Sequence, residues 1–188
     1  PRRGPRTGRR APAARRQPAT EQAAATPRSR KGVATRERLI QGAKAVFEER
    51  ERAIPYQIGT MVETPRAALT ADRLAEYADF FSVGSNDLTQ MTYGLSRDDA
   101  ETSFLVDYLR SHVFEQNPFS SLDSQGVGKL VDMAIASARA RSDGFEVGLC
   151  GEHGGDPTSI TWCHEHGITY VSCSPFRVPV ARLAAAEA

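Results

Sequence analysis

Four apolar segments of the sequence are each followed by polar residues that could do chemistry. These residues are Glu63, the run Gly84-Ser85-Asn86-Asp87, Cys150 with GEHGGD after it, and the run SCSPFR that begins at Ser172. Such groups could hold a cation, bind a small charged substrate and move a proton. If the four segments are neighbouring parallel strands, all of these groups lie at one edge of a sheet, where barrel enzymes build their active sites.

Glu63 and Asp87 are candidate ligands of a hard divalent cation. Mg²⁺ prefers oxygen ligands and takes one or two carboxylates, which leaves positions for water and substrate oxygens. The alternative is that each carboxylate caps the helix that follows it, because acids stabilise helix amino termini. For an arbitrary carboxylate at a strand end, capping is the commoner role.

The segment between the two carboxylates suits a small carboxylate or carbonyl substrate. Ser85 and Asn86 offer a hydroxyl, an amide and backbone N–H groups, and Gly84 allows the backbone to approach a ligand closely. A plain turn between a strand and a helix would have the same composition. The segment alone therefore leaves both interpretations open.

Cys150 is the candidate for proton transfer. A thiol at a strand end could exchange a proton with a substrate carbon, with Glu152 or His153 adjusting it. Inert packing is the commoner state of a free cysteine, and spacing alone makes His153 a local hydrogen-bonding residue more readily than a catalyst. Cys163 and Cys173 lie in apolar patterns and are assigned to packing.

Hydrophobic periodicity predicts the elements that must position these residues. The predicted strands are 56–62, 80–83, 146–149 and 168–173, and the predicted helices are 35–52, 66–78, 102–110, 126–140, 159–166 and 178–186. Strands that alternate with helices indicate a parallel sheet with helices outside it. The fold class is therefore α/β, with four strand–helix units, half of a (β/α)₈ barrel.

Charge and composition divide the chain at about residue 33. Residues 1–33 hold ten Lys/Arg against one acid, and residues 34–188 hold 14 Lys/Arg against 22 acids. The Arg/Pro/Ala-rich first segment has no apolar stripe, so we expect a disordered tail, a linker or non-native sequence more readily than a transit peptide or a nucleic-acid tail. The acidic body argues against nucleic-acid binding. The sequence contains no run of 18 consecutive apolar residues, so it predicts no membrane span.

Two long segments resemble the pyruvate, phosphate dikinase family. They are IGTMVETPRAALTADRLAEYADFFSVGSNDLTQMTYGLSRDDA and VGLCGEHGGDPTSITWCHEHGITYVSCSPFRVPVARLAAAEA. The GSNDLTQ type of segment is shared with phosphoenolpyruvate (PEP) synthase and with enzyme I of the sugar phosphotransferase system, whereas GEHGGDP with SCSPFRVPVARLAAA is more specific to the dikinase. The resemblance runs from about residue 36 to the last residue and implies that residues 34–188 are the carboxy-terminal half of a PEP/pyruvate-binding (β/α)₈ barrel.

The resemblance also implies roles for the candidate residues. Glu63 and Asp87 become Mg²⁺ ligands, residues 84–87 together with Glu63 line the substrate site, and Cys150 becomes the proton donor to the enolate carbon. The implied reaction is ATP + pyruvate + phosphate = AMP + PEP + diphosphate, through a phosphohistidine. One departure is Ser85, where dikinases usually have threonine, and both side chains carry a hydroxyl.

The family enzyme implies parts that residues 1–188 do not contain. These are a nucleotide-binding domain, a phosphohistidine domain and the first barrel half with two substrate-binding arginines. Because the chain begins with Pro1 instead of Met, we expect it to be a piece of such an enzyme, and because those parts are missing we expect it to be inactive alone. The complete enzyme is expected to be a homodimer in bacterial cytoplasm or in a plastid. The alternatives are a PEP synthase-type enzyme and a non-catalytic half-barrel that binds a partner.

Overall fold

Four short strands form one parallel sheet in the computed structural model, which describes residues 30–188. The strands are β1 Thr60–Val62, β2 Phe80–Gly84, β3 Glu146–Cys150 and β4 Tyr170–Ser172. Their order in the sheet is β1-β2-β3-β4, the same as in the sequence, and each neighbouring pair is parallel. Sequential parallel strands joined by helices are the arrangement of one half of a (β/α)₈ barrel. The predicted fold class is confirmed.

Helices precede, connect and follow these strands. They are α1 Arg30–Glu49, α2 Pro65–Leu69, α3 Ala71–Leu74, α4 Ser85–Tyr93, α5 Arg97–Thr102, α6 Leu105–Arg110, α7 Val127–Arg141, α8 Pro157–Glu165 and α9 Val178–Glu187. Two short 3₁₀ turns, Glu152–Gly155 and Pro175–Arg177, precede α8 and α9. None of the helices within residues 30–188 is long and apolar enough to cross a membrane.

The first helix begins earlier than the sequence pattern predicts. Residues 30–33, which the composition assigned to the tail, form the first turn of α1. Arg36 anchors this end of the helix, because its guanidinium donates to the Tyr77 carbonyl at 2.7 Å and to the Asp79 carboxylate at 2.8 Å. The rest of the predicted tail, residues 1–29, lies outside the described residues.

The predicted helix 66–78 is instead two short helices that meet at Thr70. This residue ends α2 and begins α3 with non-helical backbone angles of φ −120° and ψ 27°. Its hydroxyl donates to the Arg66 carbonyl at 2.8 Å. The hydrophobic pattern continues across Thr70, so it predicted one continuous helix.

Alternate strand residues point to a helix-covered face of the sheet. Val62, Phe81, Val83 and Val147 are fully buried in one core with the apolar side of α7. Burying an aliphatic or aromatic side chain of this size contributes about 1.5–3 kcal/mol. This core fixes the strands side by side, so that their carboxyl ends stay in register.

The intervening strand residues point to the opposite face, which is open within residues 30–188. Met61 pairs with Ser82, Ser82 with Gly148, and Gly148 with Tyr170. Met61 is 43% exposed and Tyr170 is 38% exposed. Side chains alternate along a strand, so residues two positions further along share this open face. The candidate site lies there.

Candidate active site

The carboxyl ends of the strands place three of the sequence-predicted residues in one row. Gly84 pairs with Cys150, and Cys150 pairs with Ser172. Glu63 directly follows Val62, which pairs with Val83, so Glu63 stands beside Gly84. All of these residues are two positions beyond the open-face residues of their strands. Neighbouring strands lie about 4.8 Å apart, so Glu63 and Cys150 flank Gly84 at about that spacing on either side.

Glu63 extends over Gly84. A Cβ atom built on Gly84 would lie 2.8 Å from both Cβ and Oε2 of Glu63. Position 84 must therefore be glycine for the Glu63 side chain to lie as it does. Glu63 does not cap α2, because the Thr64 hydroxyl accepts from the Ala67 amide at 3.1 Å and takes that role. The capping interpretation is wrong for Glu63.

Asp87 lies in the first turn of α4 and lines the same cleft as Glu63. This cleft has a volume of about 660 Å³ and also contacts Thr64, Gln90 and Met91. The Asp87 carboxylate accepts from the Gln90 side-chain amide at 3.2 Å. An acid in this turn also stabilises the helix, so the capping interpretation and the ligand interpretation are compatible here.

The segment with the GSND sequence is not a loop. Helix α4 begins directly at Ser85, with Gly84 as its N-cap residue and with no side-chain capping bond. The first backbone N–H groups of a helix have no partner inside the helix. Those of α4 begin at the carboxyl edge of the sheet, beside the row of Glu63, Gly84 and Cys150.

Asn86 has a defined side-chain orientation. Its Oδ1 accepts from the backbone N–H of Glu152 at 3.2 Å. A backbone N–H can only donate, so the oxygen of the amide must be the atom that faces it. The Asn86 Nδ2 group is therefore left as a donor on the other side.

Ser85 points away from the open face. Its side chain is fully buried, and its Oγ lies 2.8 Å from the Cys150 carbonyl and 2.7 Å from Nδ1 of His153. The resemblance implied that this residue lines the substrate site, whereas the structure places its hydroxyl between the end of β3 and the turn that follows.

Cys150 is the last residue of β3, and its thiol is free and half-buried on the open face. Cys163 differs, since it is buried in α8 and desolvation raises the pKa of its thiol to about 12. The assignment of Cys163 to packing is confirmed. Cys173 is half-buried and packs beside the small core of Ile160 with α9, as expected.

His153 is fully buried in the 3₁₀ turn after Cys150. Its Nδ1 contacts the Ser85 hydroxyl at 2.7 Å, and its Nε2 contacts the Pro118 carbonyl at 2.9 Å. Desolvation is the main influence on this ring and lowers its pKa, against smaller raising effects of the Pro118 carbonyl and the Asp156 and Glu152 charges. His153 is a buried hydrogen-bonding residue, as the spacing favoured.

Burial of neutral His153 should make stability depend on pH. An unfolded histidine titrates near 6.5, whereas the buried ring has a lowered pKa. Below pH 6.5 the unfolded chain binds a proton that the folded chain does not, so this contribution is complete above pH 6.5 and is lost as the pH falls. The wild type should lose up to about 1.4 kcal/mol more per pH unit than His153→Gln within that window. Denaturant unfolding of the wild type and of His153→Gln at pH 5.5 and 7.5 measures this difference. An equal change of unfolding free energy with pH in the two proteins would contradict the prediction.

Glu152 lies between two arginines that the sequence analysis did not single out. Its carboxylate is 3.9 Å from Arg97 Nη1 and 3.8 Å from Arg177 Nε. All three side chains are about one-third to one-half exposed, and pairs of this kind contribute at most about 1 kcal/mol. The only signal in the sequence was that Arg177 belongs to the polar run after the last strand, whereas Arg97 lies in a polar stretch after helix α4.

The glycine-rich run packs tightly against β4. A Cβ built on Gly154 would lie 2.3 Å from the backbone oxygen of Ser172. Backbone cannot yield as a side chain can, so Gly154→Ala should lower the free energy of unfolding by about 1–3 kcal/mol. Gly144→Ala is the matched control, because nothing lies within 4 Å of its built Cβ. Urea unfolding of the two variants checks this, and equal midpoints would show that the run is loosely packed.

The cleft offers two carboxylates, Glu63 and Asp87, as ligands for a metal ion. Among residues 30–188 no group of three or more His, Cys, Asp or Glu residues could hold a metal ion. Mg²⁺ does not need such a group, because one or two carboxylates with water and substrate oxygens complete its coordination. Two carboxylates on one cleft therefore suit Mg²⁺ better than a metal that requires an all-protein cage.

Comparison with known proteins decides the family. The family model described as "PEP-utilising enzyme, PEP-binding domain" matches residues 28–188. The chain belongs to the family of PEP-utilising enzymes. The predicted resemblance is thereby confirmed.

Several curated PEP-utilising enzymes are similar to the chain. Pyruvate, phosphate dikinase of Clostridium symbiosum is 56% identical over 150 residues, which are 80% of this chain and 17% of that protein. The dikinase of Rhizobium meliloti (strain 1021) is 59% identical over 146 residues, 78% of this chain and 16% of that protein. Pyruvate, phosphate dikinase 1, chloroplastic, of Arabidopsis thaliana is 56% identical over 145 residues, 77% and 15% respectively. The chain thus spans 15–17% of the length of these relatives.

Proposed function

We propose that the chain forms the carboxy-terminal half of the site at which a pyruvate, phosphate dikinase interconverts PEP and pyruvate. One observation carries the proposal: Glu63, Gly84 and Cys150 stand side by side at the carboxyl edge of three adjacent strands, on the open face of the sheet. The whole reaction is ATP + pyruvate + phosphate = AMP + PEP + diphosphate.

Glu63 and Asp87 would hold Mg²⁺ in the cleft that they share. Within the described residues, the Glu63 carboxylate accepts no hydrogen bond, and Asp87 accepts one from Gln90. Magnesium bound there supplies positive charge beside the substrate oxygens, which stabilises the negative charge that develops when PEP loses its phosphoryl group.

The start of α4 would bind the substrate carboxylate. Its first backbone N–H groups have no side-chain cap, and helix amino termini favour anions. Asn86 adds its Nδ2 donors, since its Oδ1 is held by Glu152. Gly84 has no side chain, so the Glu63 side chain can lie over it, next to the start of α4.

Cys150 would move the proton. After PEP transfers its phosphoryl group to a histidine of another domain, pyruvate enolate remains. The Cys150 thiol then gives its proton to the methylene carbon, so that a C–H bond forms and a thiolate is left. In the opposite direction the thiolate removes a methyl proton from pyruvate. The pairing of Cys150 with Gly84 supports this role, because it brings the thiol to the same edge of the sheet as the proposed substrate-binding groups.

The remaining partners are also proposals. The phosphohistidine domain, the nucleotide-binding domain and the first barrel half with two substrate-binding arginines would come from the rest of the enzyme. We propose a homodimer, in the cytoplasm or, in a plant, in the plastid. The name of the Arabidopsis thaliana relative contains the word chloroplastic.

The test uses a hybrid enzyme, in which the 150 matching residues of this chain replace their counterpart in the Clostridium symbiosum relative. Incubation with pyruvate and Mg²⁺ in D₂O should exchange the methyl hydrogens, as followed by proton NMR. The exchange should stop when Mg²⁺ is chelated. A folded hybrid without Mg²⁺-dependent exchange would refute the proposal.

A further inference from the structure

Three consecutive residues of the turn after Cys150 contact the start of α4. Gly151 lies so close that a built Cβ would be 2.6 Å from Ser85 Oγ and 2.9 Å from Asn86 Oδ1. The Glu152 amide donates to Asn86 Oδ1 at 3.2 Å, and His153 contacts Ser85 at 2.7 Å. The group proposed to move the proton and the groups proposed to bind substrate are thus tied together by a few polar contacts.

The two partners of the buried His153 ring define how it is hydrogen-bonded. The Pro118 carbonyl can only accept, so Nε2 must carry the ring proton. In the neutral ring Nδ1 is then an acceptor and needs the hydroxyl proton of Ser85. That hydroxyl has one proton and lies within hydrogen-bond distance of both His153 and the Cys150 carbonyl.

Full burial makes this pattern costly to disturb. Ser85 and His153 are both 0% exposed, and a buried polar atom that loses its partner is strongly penalised. Ser85 is the first residue of α4, and Asn86 and Asp87 follow it in the same turn. A change in the Ser85 contact therefore moves the start of α4 relative to the end of β3.

We infer that His153 is a positioning residue of the reaction: through Ser85 it holds the substrate-binding start of α4 at a fixed distance from the Cys150 thiol. It touches neither substrate nor the reacting carbon. This inference rests on the proposed function and adds a residue through which two parts of that site are coupled.

Two substitutions separate positioning from a general role in stability. In His153→Asn the side-chain oxygen can stand where Nδ1 stood and keep the Ser85 contact. In His153→Gln the longer side chain can keep the Pro118 contact and loses that to Ser85. Each variant loses the imidazole ring and one of its two hydrogen bonds. In the hybrid enzyme, kcat for methyl-hydrogen exchange should fall about 10–100-fold in His153→Gln and markedly less in His153→Asn, with smaller changes in KM.

Ser85 supplies the second arm of the experiment. Ser85→Ala should lower kcat as much as His153→Gln does, and the double variant should lose no more. Equal losses in His153→Asn and His153→Gln, or losses that multiply in the double variant, would overturn the inference.

A measurement without catalysis keeps this test separate from that of the proposed function. In the full chain labelled with ¹⁵N-histidine, the Nδ1 resonance of His153 should be that of an unprotonated, hydrogen-bonded nitrogen. It should shift in Ser85→Ala and return in Ser85→Thr. An Nδ1 resonance that ignores Ser85→Ala would overturn the inference even if the hybrid is active. An inactive hybrid with the expected resonances would refute the proposed function, while the contact between His153 and Ser85 would still be established.

Discussion

Replacing Cys150 by alanine should reduce methyl-hydrogen exchange of pyruvate in the hybrid enzyme by at least about a hundredfold, because a positioned acid or base contributes about 10²–10⁴ to a rate. The thiol is the candidate proton donor at the end of β3, on the open face and one strand from Gly84. Proton NMR in D₂O measures the rate directly.

Cys173→Ala is the matched control for this variant. Cys173 is also a free, half-buried cysteine, directly after the neighbouring strand β4, and it is assigned to packing. The control should keep the wild-type rate of exchange. Should Cys150→Ala also keep that rate, the proton donor would have to be another group.

Removal of either cleft carboxylate should have an effect of similar size. Glu63→Gln and Asp87→Asn each remove one of the two anionic groups that line the cleft. Metal stabilisation of developing charge amounts to several kcal/mol, and each 1.4 kcal/mol is tenfold in rate, so exchange should fall about a hundredfold or more. A titration with Mg²⁺ should also show a much higher half-saturating concentration.

Asp98→Asn is the matched control for the carboxylates. Asp98 lies in the first turn of α5, as Asp87 lies in the first turn of α4, and it is exposed. Its replacement should leave both the rate and the half-saturating Mg²⁺ concentration unchanged. An unchanged Mg²⁺ titration in Glu63→Gln or Asp87→Asn would remove that residue from the proposed ligand set.

The arrangement of the candidate site could be predicted from the sequence because it depends on strand ends. Hydrophobic runs with two-residue periodicity locate strands, and parallel strands bring their carboxyl ends to one edge. Glu63, Gly84 and Cys150 each stand at such an end, and the structure places them in one row. The regularity of the sheet made this part predictable.

The orientation of side chains around that row could not be predicted. Ser85 looks like a substrate-facing hydroxyl in the sequence, yet it is buried against His153. That direction depends on where the turn after β3 passes, which is a tertiary contact between residues 68 positions apart. The same holds for Glu152, which meets Arg97 from a distant segment of the chain.

Two element boundaries in the structure differ from those that the periodic pattern predicted. Thr70 has non-helical backbone angles and divides a helix that the apolar spacing predicted as continuous. Helix α1 begins within residues that composition assigned to the tail, and Arg36 holds this end of it through Tyr77 and Asp79. These partners lie about 40 residues further along the chain, so local sequence does not reveal them. Periodicity contains neither kind of information.

The most direct test of the central claim is ATP-dependent formation of PEP from pyruvate and phosphate by the hybrid enzyme. If this chain is the carboxy-terminal half of a dikinase site, the hybrid should turn over and should lose turnover with Cys150→Ala. A folded hybrid that still exchanges phosphate between ATP and its phosphohistidine, yet makes no PEP, would show that residues 30–188 do not form a working half of that site.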